Sequence, residues 1–518
     1  MKRNKKPLKI LIIVATLLMM FYACIGTVFA STNEAKPLYN TLDQLVGKRI
    51  AYKIGGAHAD TIMKHKYFKG TDTNMLSYQT ESDCIIALES NKVDGFCTDL
   101  PVAQLCVNSD ENLAIVPEYF QDEQYAYVFA KGSELEEPFN KAMAELKEEG
   151  AFERLQDIWM GSDESKKVLP EQDWDCSKGT LHYWVDNAMP PASYVKDGKL
   201  VGYEVNLVYL VAEKMHYAVE ITGAQFGALI PAVSSGKADL CSGCITITDE
   251  RKKSVDFSLP NYDAALVLVV LNDKAGTSDV GFFQSMEDSF NKTFLVEDRW
   301  ELFVDGIGLT LLITIFAVIF GSLLGFGIYM LYRRNNRIIN GATNIVMEIL
   351  SKTPAVVLLM VFFYIIFKDS NLSGPWIAII TFSFTFGANV FSLLQVGVGA
   401  VDSGQMEGAL ALGFTKFQSF FKIVLPQAIT HIMPTYNNEI VNLLKGTAVV
   451  GYIAVSDLTK VSDIVRSRTY EAFFPLIATA LIYILLAWIL IVITKAFARK
   501  IDTKFRKKEK ILKGVNHD

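Results

Sequence analysis

Five long apolar segments in the C-terminal part of the chain constrain its fold more than any other feature. They span residues 304–332, 343–367, 375–400, 437–456 and 472–497. Each approaches the ~20 residues that a helix needs to cross the hydrocarbon core of a bilayer. Because a helix satisfies its own backbone hydrogen bonds in lipid, these segments predict an all-α polytopic membrane domain with five core helices over residues 301–500.

The chain that precedes this domain has a different composition. From residue 31 to about 298, polar and apolar residues are mixed. A mean hydropathy of +0.24 with 20% charged residues is unusual for a uniform globule, but it is expected of a soluble part joined to a membrane part. At 518 residues, the chain has room for several domains. Its formal net charge of −6 argues against a nucleic-acid partner.

The N-terminus has the pattern of an export signal over residues 1–30. A basic start is followed by an apolar run and by the small residue Ala30 before Ser31. A cleaved signal peptide and an uncleaved signal anchor fit this pattern equally well. In both cases the basic start stays inside the cell, so residue 31 onward is exported.

Positive charge predicts the orientation of the membrane domain. The arginines after the first span and the basic tail at residues 501–518 are expected on the cytoplasmic side. With five spans, this places residues 31–273 outside the cell, joined to the membrane domain by a linker at 274–300. Three basic residues then lie on the outer side, against the rule: Lys460, Arg466 and Arg468.

The loop between the third and fourth spans, at residues 405–426, carries a spaced motif. Its motif residues are Glu407, Gly408, Ala409, Gly413, Ile423, Leu425 and Pro426. They predict a short helix, a break at Gly413 and a second short helix stopped by Pro426. The spacing resembles the "EAA" coupling loop of ABC-importer permeases for polar amino acids, with Gly408 in place of an alanine. The resemblance implies that Phe417 and the aromatic residues around it dock into a cleft of an ATPase subunit.

The same resemblance implies the partners of the chain. A P-loop does not occur in the sequence, so ATP and Mg are expected on a separate ATPase dimer, with no cofactor in this chain. A second permease chain, with a homodimer expected, and membrane lipid complete the assembly. Glu439 and Lys445 are ionisable residues of the fourth span. Buried, they would mark the substrate path; near the headgroups, they would only extend to the interface.

The exported region carries a second motif at residues 245–258, which read ITITDERKKSVDFS. It resembles a signature of the two-lobed solute-binding proteins of amino-acid uptake and so implies an α/β periplasmic-binding-protein-like clamshell. By this resemblance, Arg251 binds the ligand α-carboxylate with two parallel hydrogen bonds, assisted by the Thr246 hydroxyl and the main chain near Cys244. The alternative for Arg251 is a surface ion pair with a neighbouring carboxylate.

A strand, a glycine turn and a helix start are predicted around Lys53, Gly56 and Ala57. The free backbone N–H groups of such a turn favour an anion, here the ligand carboxylate. By resemblance, Asp99 binds the α-ammonium group of the ligand. Its alternative is to cap the helix that begins at Leu100.

The two halves of the clamshell stand in an unusual order. The half with the glycine turn and Asp99, residues 31–161, precedes the half with Arg251, residues 162–273. Conventional members of the family have the opposite order, so we interpret this chain as a circular permutation. Helices predicted over residues 135–159 would then pack on the Arg251 lobe. The alternative is a pair of truncated domains.

Side-chain specificity is expected from Asp186, Met189, Tyr194 and Phe226, with Asp186 either binding a polar ligand group or capping a turn. Cys241 and Cys244 form a CxxC pair, which we interpret as small buried residues because their side chains point to opposite faces of a predicted strand.

Two functions remain as hypotheses. The first is ATP-driven amino-acid uptake across the plasma membrane, with the clamshell outside and the coupling loop and C-terminus in the cytoplasm. The second is a ligand-gated receptor or channel that uses the same clamshell. An enzyme is not expected, since the six histidines are scattered and nucleophile–base pairs or metal clusters do not converge in the sequence. Which amino acid is bound does not follow from the sequence.

Overall fold

The structure is a computed structural model that describes residues 37–54, 58–110, 112–161, 163–273, 282–334, 336–370, 372–469 and 474–501. The predictions for residues 1–30, for Gly56 and Ala57, and for the tail beyond residue 501 lie outside these residues.

The strands all lie before the membrane helices. In chain order they are β1 (Arg49–Lys53), β2 (Asn74–Tyr78), β3 (Gly95–Asp99), β4 (Leu113–Tyr125), β5 (Val128–Ala130), β6 (Thr180–Asp186), β7 (Ala188–Met189), β8 (Ser193–Lys196), β9 (Lys199–Val201), β10 (Ala218–Ala224), β11 (Leu240–Ser242), β12 (Val255–Phe257) and β13 (Tyr262–Leu271).

The helices divide between the two parts of the chain. Those of the α/β part are α1 (His58–Lys64), α2 (Glu81–Glu89), α3 (Leu100–Ser109), α4 (Glu136–Glu148), α5 (Ala151–Met160), α6 (Tyr203–Met215) and α7 (Phe226–Ser234). Those that follow are α8 (Phe282–Phe290), α9 (Trp300–Tyr332), α10 (Arg337–Lys352), α11 (Ala355–Val361), α12 (Gly374–Gly399), α13 (Ser403–Ala411), α14 (Lys416–Ser419), α15 (Leu425–Gly446), α16 (Leu458–Thr469) and α17 (Phe474–Ile501).

Two five-stranded sheets form two lobes. The sheet of lobe A has the order β2-β1-β3-β13-β4, and the sheet of lobe B has the order β10-β6-β11-β5-β12. A small three-stranded sheet, β7-β8-β9, accompanies lobe B. These lobes are the α/β clamshell that the resemblance implies.

Each lobe takes one strand from the other half of the chain. β13 follows the Arg251 motif in sequence, yet it lies between β3 and β4 of lobe A and runs antiparallel to both. β5 lies in the same way between β11 and β12 of lobe B. Because each sheet is completed by a strand from the other half, the halves form one two-lobed unit. The alternative of two truncated domains is therefore wrong.

The two crossing segments between the lobes are hydrogen-bonded to each other. The Asn261 N–H donates to the Tyr125 carbonyl at 2.8 Å, and the Ser258 N–H donates to the Tyr127 carbonyl at 2.9 Å. Two short crossing segments that lie side by side are the kind of connection about which two rigid lobes can rotate.

Helices α4 and α5 pack on lobe B, as predicted for residues 135–159. Phe139 and Trp159 lie in one buried cluster with Tyr183 and Tyr203 of lobe B. The boundary predicted at residue 161 therefore does not coincide with a lobe boundary. Residues 128–160 belong to lobe B because β5 and the apolar faces of the two helices are buried there.

The helical part has three helices long and apolar enough to cross a membrane: α9, α12 and α17. Two bent pairs raise the number of spans among the described residues to five if each pair counts as one. α9 and α12 approach closely where Gly321 and Gly325 face α12, and a Cβ atom at Gly325 would lie 2.4 Å from the Gly387 carbonyl oxygen. Small residues at such a contact let two membrane helices pack backbone to backbone.

The second and fourth predicted spans are not straight helices. The second consists of α10 and the helical segment Ala355–Ile366, bent by 108°. Pro354 stands at this break, where it restricts Thr353 to an extended conformation. In the fourth, the segment Lys416–Ile453 is followed by α16 at an angle of 57°.

Candidate functional site

A cavity between the lobes brings together most of the residues predicted to bind a ligand. Lobe A contributes Lys53, His58, Glu81 and Asp99, and lobe B contributes Met189, Phe226, Gly243, Cys244, Thr246 and Arg251. The predicted carboxylate-binding arginine and the predicted ammonium-binding aspartate thus line one cavity, although they are far apart in sequence.

Lys53 and Asp186 connect the lobes across this cavity. Lys53 Nζ lies 2.6 Å from Asp186 Oδ2, and the other carboxylate oxygen of Asp186 accepts the N–H of Ala188 at 3.2 Å. Asp186 therefore caps this turn and pairs with Lys53 of the same chain, and its binding of a ligand group stays a prediction. Burial alone would raise the pKa of Asp186, but Lys53 and Lys460 lower it below its usual value. Its carboxylate is therefore ionised.

Asp99 begins α3 without capping it. Its side chain makes no capping hydrogen bond and instead accepts the hydroxyl of Tyr125. His58 Nε2 lies 3.9 Å away from Asp99 Oδ1. Burial raises the pKa of Asp99 to about 7, against the lowering effect of the Tyr125 hydrogen bond. The N-cap alternative is wrong for this side chain, which turns into the cavity.

Arg251 also faces the cavity. Its Nη1 donates to the Thr246 carbonyl at 2.7 Å. Burial lowers the pKa of Arg251, while nearby Glu123 acts in the opposite direction. The neighbouring Asp256 is paired with Lys131 at 2.6 Å on the surface. A half-buried guanidinium beside a polar cavity is suited to a carboxylate ligand.

Two of the predicted carboxylate contacts differ in the structure. The Thr246 hydroxyl donates to Glu123 Oε2 at 2.8 Å, and Glu123 also accepts the Thr61 hydroxyl at 2.8 Å. The Cys244 N–H donates to Glu204 Oε2 at 3.3 Å because Cys244, at φ +54°, lies in a left-handed turn beyond β11. Both groups are thus engaged by buried carboxylates of the protein.

Four buried acidic or basic residues of this region were not predicted to be functional: His58, Glu81, Glu123 and Glu204. Glu204 accepts hydrogen bonds from Ser242, at 2.8 Å, and from Asn261, at 3.0 Å, and so holds β11 to the crossing segment. The sequence signal that could have found Glu81 and Glu204 is a carboxylate in the first turn of a helix, although such residues are common on surfaces.

Tyr194, by contrast, does not line the cavity. It packs against Trp159 in the core of lobe B, with ring centroids 6.3 Å apart. The guanidinium of Arg468 lies 4.7 Å from the centre of its ring. The prediction that Tyr194 contributes to ligand specificity is wrong, since β8 turns this side chain away from the cleft.

Both lobes rest on the helical domain. Arg466 of α16 pairs with Asp83 of lobe A at 2.6 Å, and its side chain is 4% exposed. On the lobe B side, Lys237 Nζ donates to the Phe367 carbonyl at 2.6 Å. Lys460 and Arg466, two of the residues that break the positive-inside rule, are therefore buried, and Arg466 is paired with a carboxylate of lobe A.

Arg468 makes the same type of contact with a different segment. Its Nη2 lies 3.2 Å from Glu164 Oε2 of the α/β part and 3.0 Å from Glu297 Oε1, which precedes α9. One helix of the membrane domain thus holds both the lobes and the connecting segment.

The predicted coupling loop forms an exposed surface between α12 and α15. α13 ends at Ala411, and Gly413 follows it with a φ of +86°, which favours glycine. Leu412 is 81% and Phe417 64% exposed, whereas Phe420 is fully buried. We define the coupling surface as Glu407, Gly408, Leu412, Gly413 and Phe417.

The remaining motif residues are less exposed than those of the coupling surface. Ala409 is buried, and Ile423 and Leu425 are half-buried. Pro426 does not stop a helix as predicted. It stands in the first turn of α15, where a missing N–H leaves no hydrogen bond unmade.

Glu439 and Lys445 have different surroundings on α15. Glu439 is half-buried and accepts the Asn389 side chain of α12 at 2.9 Å. Lys445 is exposed on the described surface. Their role in a substrate path stays a prediction.

Residues 299–507 match the family described as binding-protein-dependent transport system inner membrane component. The putative glutamine transport system permease protein GlnP of Rickettsia bellii is 34% identical over 206 residues, which are 39% of this chain and 91% of that protein. The arginine transport system permease protein ArtQ of Bacillus subtilis is 30% identical over 202 residues, 39% of this chain and 92% of that protein.

A crystal structure of an amino acid ABC transporter with histidines covers 43% of this chain and 100% of that chain, at 28% identity and a TM-score of 0.37. The family assignment rests on the sequence relatives, which confirm the resemblance read from the coupling loop. The α/β lobes precede the part that these relatives share. The chain belongs to the family of binding-protein-dependent transport system inner membrane components, as a multi-pass permease with a two-lobed α/β domain fused ahead of its membrane helices.

Proposed function

We propose that this chain is both the substrate-binding and the membrane-spanning subunit of an ATP-driven amino-acid importer. The observation that supports this most is the joining of two sites in one chain. The lobes that enclose Asp99 and Arg251 contact the permease helices, and the coupling surface lies between α12 and α15 of the same chain. Relatives named as glutamine and arginine permeases point to amino acids as cargo.

The cleft supplies complementary groups for the backbone of an amino acid. Arg251 would bind the α-carboxylate, and Asp99 would bind the α-ammonium in its ionised form. A ligand that contacts both lobes favours the closed state, since only that state makes both sets of contacts. Met189 and Phe226 would pack on the ligand side chain, beside Asp186 and Lys53.

Transport requires partners that supply energy and a second half of the pathway. We infer that a separate ATPase dimer, which carries ATP and Mg, covers the exposed Leu412 and Phe417. A second permease chain, most simply another copy of this one, would complete the pathway beside Glu439. In the orientation predicted from the positive charges of the sequence, the lobes are extracellular, and the coupling surface and C-terminus are cytoplasmic.

A ligand-gated receptor or channel receives no support from the fold or from the relatives. An exposed apolar coupling surface has no role in a receptor that works without an ATPase. We therefore keep import as the single proposal.

The test is calorimetry on the full-length chain in lipid nanodiscs, titrated with each of the common amino acids. Binding of one or a few of them is expected, followed by ATP-dependent uptake when the chain is reconstituted into liposomes with its copurified ATPase. A folded chain that binds no amino acid would contradict a functional cleft. Binding without ATP-dependent uptake would contradict import and favour a receptor.

A further inference from the structure

Glu81 is a buried carboxylate that its own helix does not explain. It stands in the first turn of α2, yet Thr80 and Asp83 form the capping box of that helix, with the Asp83 N–H donating to Thr80 Oγ1 at 3.1 Å. The side chain of Glu81 is only 6% exposed and lines the cavity between the lobes. Its carboxylate is therefore available to the cavity and is not used to cap the helix.

The hydrogen-bonding capacity of this carboxylate is not filled. Neither oxygen of Glu81 accepts a hydrogen bond from any residue in the described part of the chain. The cation paired with it is Lys53, whose Nζ lies 3.7 Å from Glu81 Oε2, beyond hydrogen-bond distance, and only 2.6 Å from Asp186 Oδ2. Lys53 is thus bonded to Asp186 and not to Glu81.

Such a group destabilises a protein unless something compensates for it. A buried carboxylate without donors loses its hydration and gains no protein hydrogen bond in return. Burial accordingly raises the pKa of Glu81, against the lowering effect of Lys53. Native proteins retain few unsatisfied buried polar groups, and those in a cavity are commonly satisfied by what binds there.

The other charged groups of the cavity already have counterparts. Arg251 and Asp99 are assigned to the α-carboxylate and the α-ammonium of the ligand under the proposed function. Lys53 is paired with Asp186. One carboxyl group, that of Glu81, is left for the ligand side chain, and a cationic group bound beside it would favour its ionised form.

We propose that Glu81 determines ligand specificity and selects amino acids whose side chains end in hydrogen-bond donors. Side chains that end in a guanidinium or ammonium group bind more tightly than those that end in a neutral amide. A carboxylate side chain would face Glu81 with a like charge and is excluded. This inference rests on the proposed function, because it names the substrate class of the same cleft.

The test compares arginine, lysine, glutamine and glutamate by calorimetry on the full-length chain in nanodiscs. For the natural chain, the better of arginine and lysine is expected to bind at least about 100-fold more tightly than glutamate. Glu81→Gln should weaken binding of the cationic ligands about tenfold or more and should narrow that ratio. Glu81→Asp should retain the preference. Glu137→Gln, which removes an exposed carboxylate of α4, is the matched control and should change nothing.

The outcomes separate this inference from the proposed function. If the natural chain binds none of the common amino acids, the proposed function fails. If it binds them but prefers glutamate, or if Glu81→Gln leaves the ratio unchanged, only the role of Glu81 fails. If Glu81→Gln does not fold, the ligand preferences of the natural chain and of Glu81→Asp decide the question alone.

Discussion

The ligand cleft and the coupling surface are built on opposite principles. In the cleft, charged groups are buried, with Lys53 at 7% and Asp99 at 3% exposure. On the coupling surface, apolar groups are exposed, with Leu412 at 81% and Phe417 at 64%. Buried charge requires a partner of matching polarity, and exposed apolar area requires a partner that covers it. The comparison indicates a small polar ligand at one end and a protein surface at the other.

A third region, α16, stands between these two. It belongs to the membrane domain, yet its arginines are buried against the lobes. Movement of the lobes on ligand binding would therefore reach the membrane helices through charged contacts. The following variants test whether the cleft, the coupling surface and this contact can be separated.

The largest effect is expected at the cleft. Arg251→Ala should weaken amino-acid binding by about 3–5 kcal/mol, or roughly 10²–10⁴-fold, because the ligand carboxylate would be enclosed without its counter-charge. Calorimetry on the full-length chain measures this, with exposed Lys252→Ala as the neighbouring control. Unchanged affinity in Arg251→Ala would remove this residue from the ligand site.

A smaller effect is expected at the coupling surface, where a substitution should weaken association with the ATPase and leave amino-acid binding unchanged. Phe417→Asp should weaken association with the ATPase by about 2–4 kcal/mol, since an exposed aromatic anchor is replaced by a charge. Uptake and copurification of the ATPase should fall, while amino-acid affinity stays the same. The control is Lys422→Asp, an exposed position on the same segment. Loss of ligand binding in Phe417→Asp would show that the two ends are not separable.

The contact between Arg466 and Asp83 is expected to matter less. Arg466→Ala should destabilise the docked lobes by about 1–2 kcal/mol and reduce uptake roughly tenfold, because it removes a charged hydrogen bond that is partly exposed on the Asp83 side. Ligand affinity should change little. The charge-swapped double variant, Asp83→Arg with Arg466→Asp, should recover part of the uptake. A double variant no better than either single variant would contradict direct pairing.

The smallest expected effect is the change of amino-acid affinity with pH. Since the pKa of Asp99 is about 7, its ionised fraction rises about tenfold from pH 6 to pH 8, and amino-acid affinity should rise by up to the same factor. Nearby His58 stays neutral because burial lowers its pKa, and Lys53 stays charged because Asp186 and Glu81 outweigh the effect of its burial. Calorimetry across this range measures the slope. A flat profile would mean that Asp99 does not bind the ammonium group.

The ionisation of Asp99 affects folding stability in the opposite direction: a rise in pH that favours ligand binding lowers the free energy of unfolding. A carboxyl whose pKa is raised on folding contributes stability that is fully present below about pH 4 and is lost as the pH rises to about 7. Thermal unfolding of the ligand-free chain should therefore show a contribution from Asp99 that weakens over this window, and Asp99→Asn should remove it.

Local sequence patterns predicted much of this protein because they report physical constraints that act locally. Apolar length predicted the membrane spans, and the family resemblance of the motif around Arg251 predicted that this residue faces the cleft. The same approach failed for Tyr194 and Pro426, because the direction of a side chain on a short strand and the continuation of a helix past a proline depend on neighbouring segments. It missed Glu81 because a glutamate at a helix start is usually exposed.

The sequence by itself determined the division into an α/β part and a membrane part and the family, since hydropathy and motif spacing are properties of contiguous residues, and it predicted the ligand cleft and the coupling surface. Only the tertiary structure decided that β5 and β13 cross between the lobes and that Arg466 is buried against Asp83. It also decided that Lys53 bonds Asp186, while Glu81 receives no hydrogen bond from the residues that the structure describes. These features arise from pairing and burial between residues far apart in the chain. Burial matters because a charge interacts more strongly with its neighbours when water is excluded.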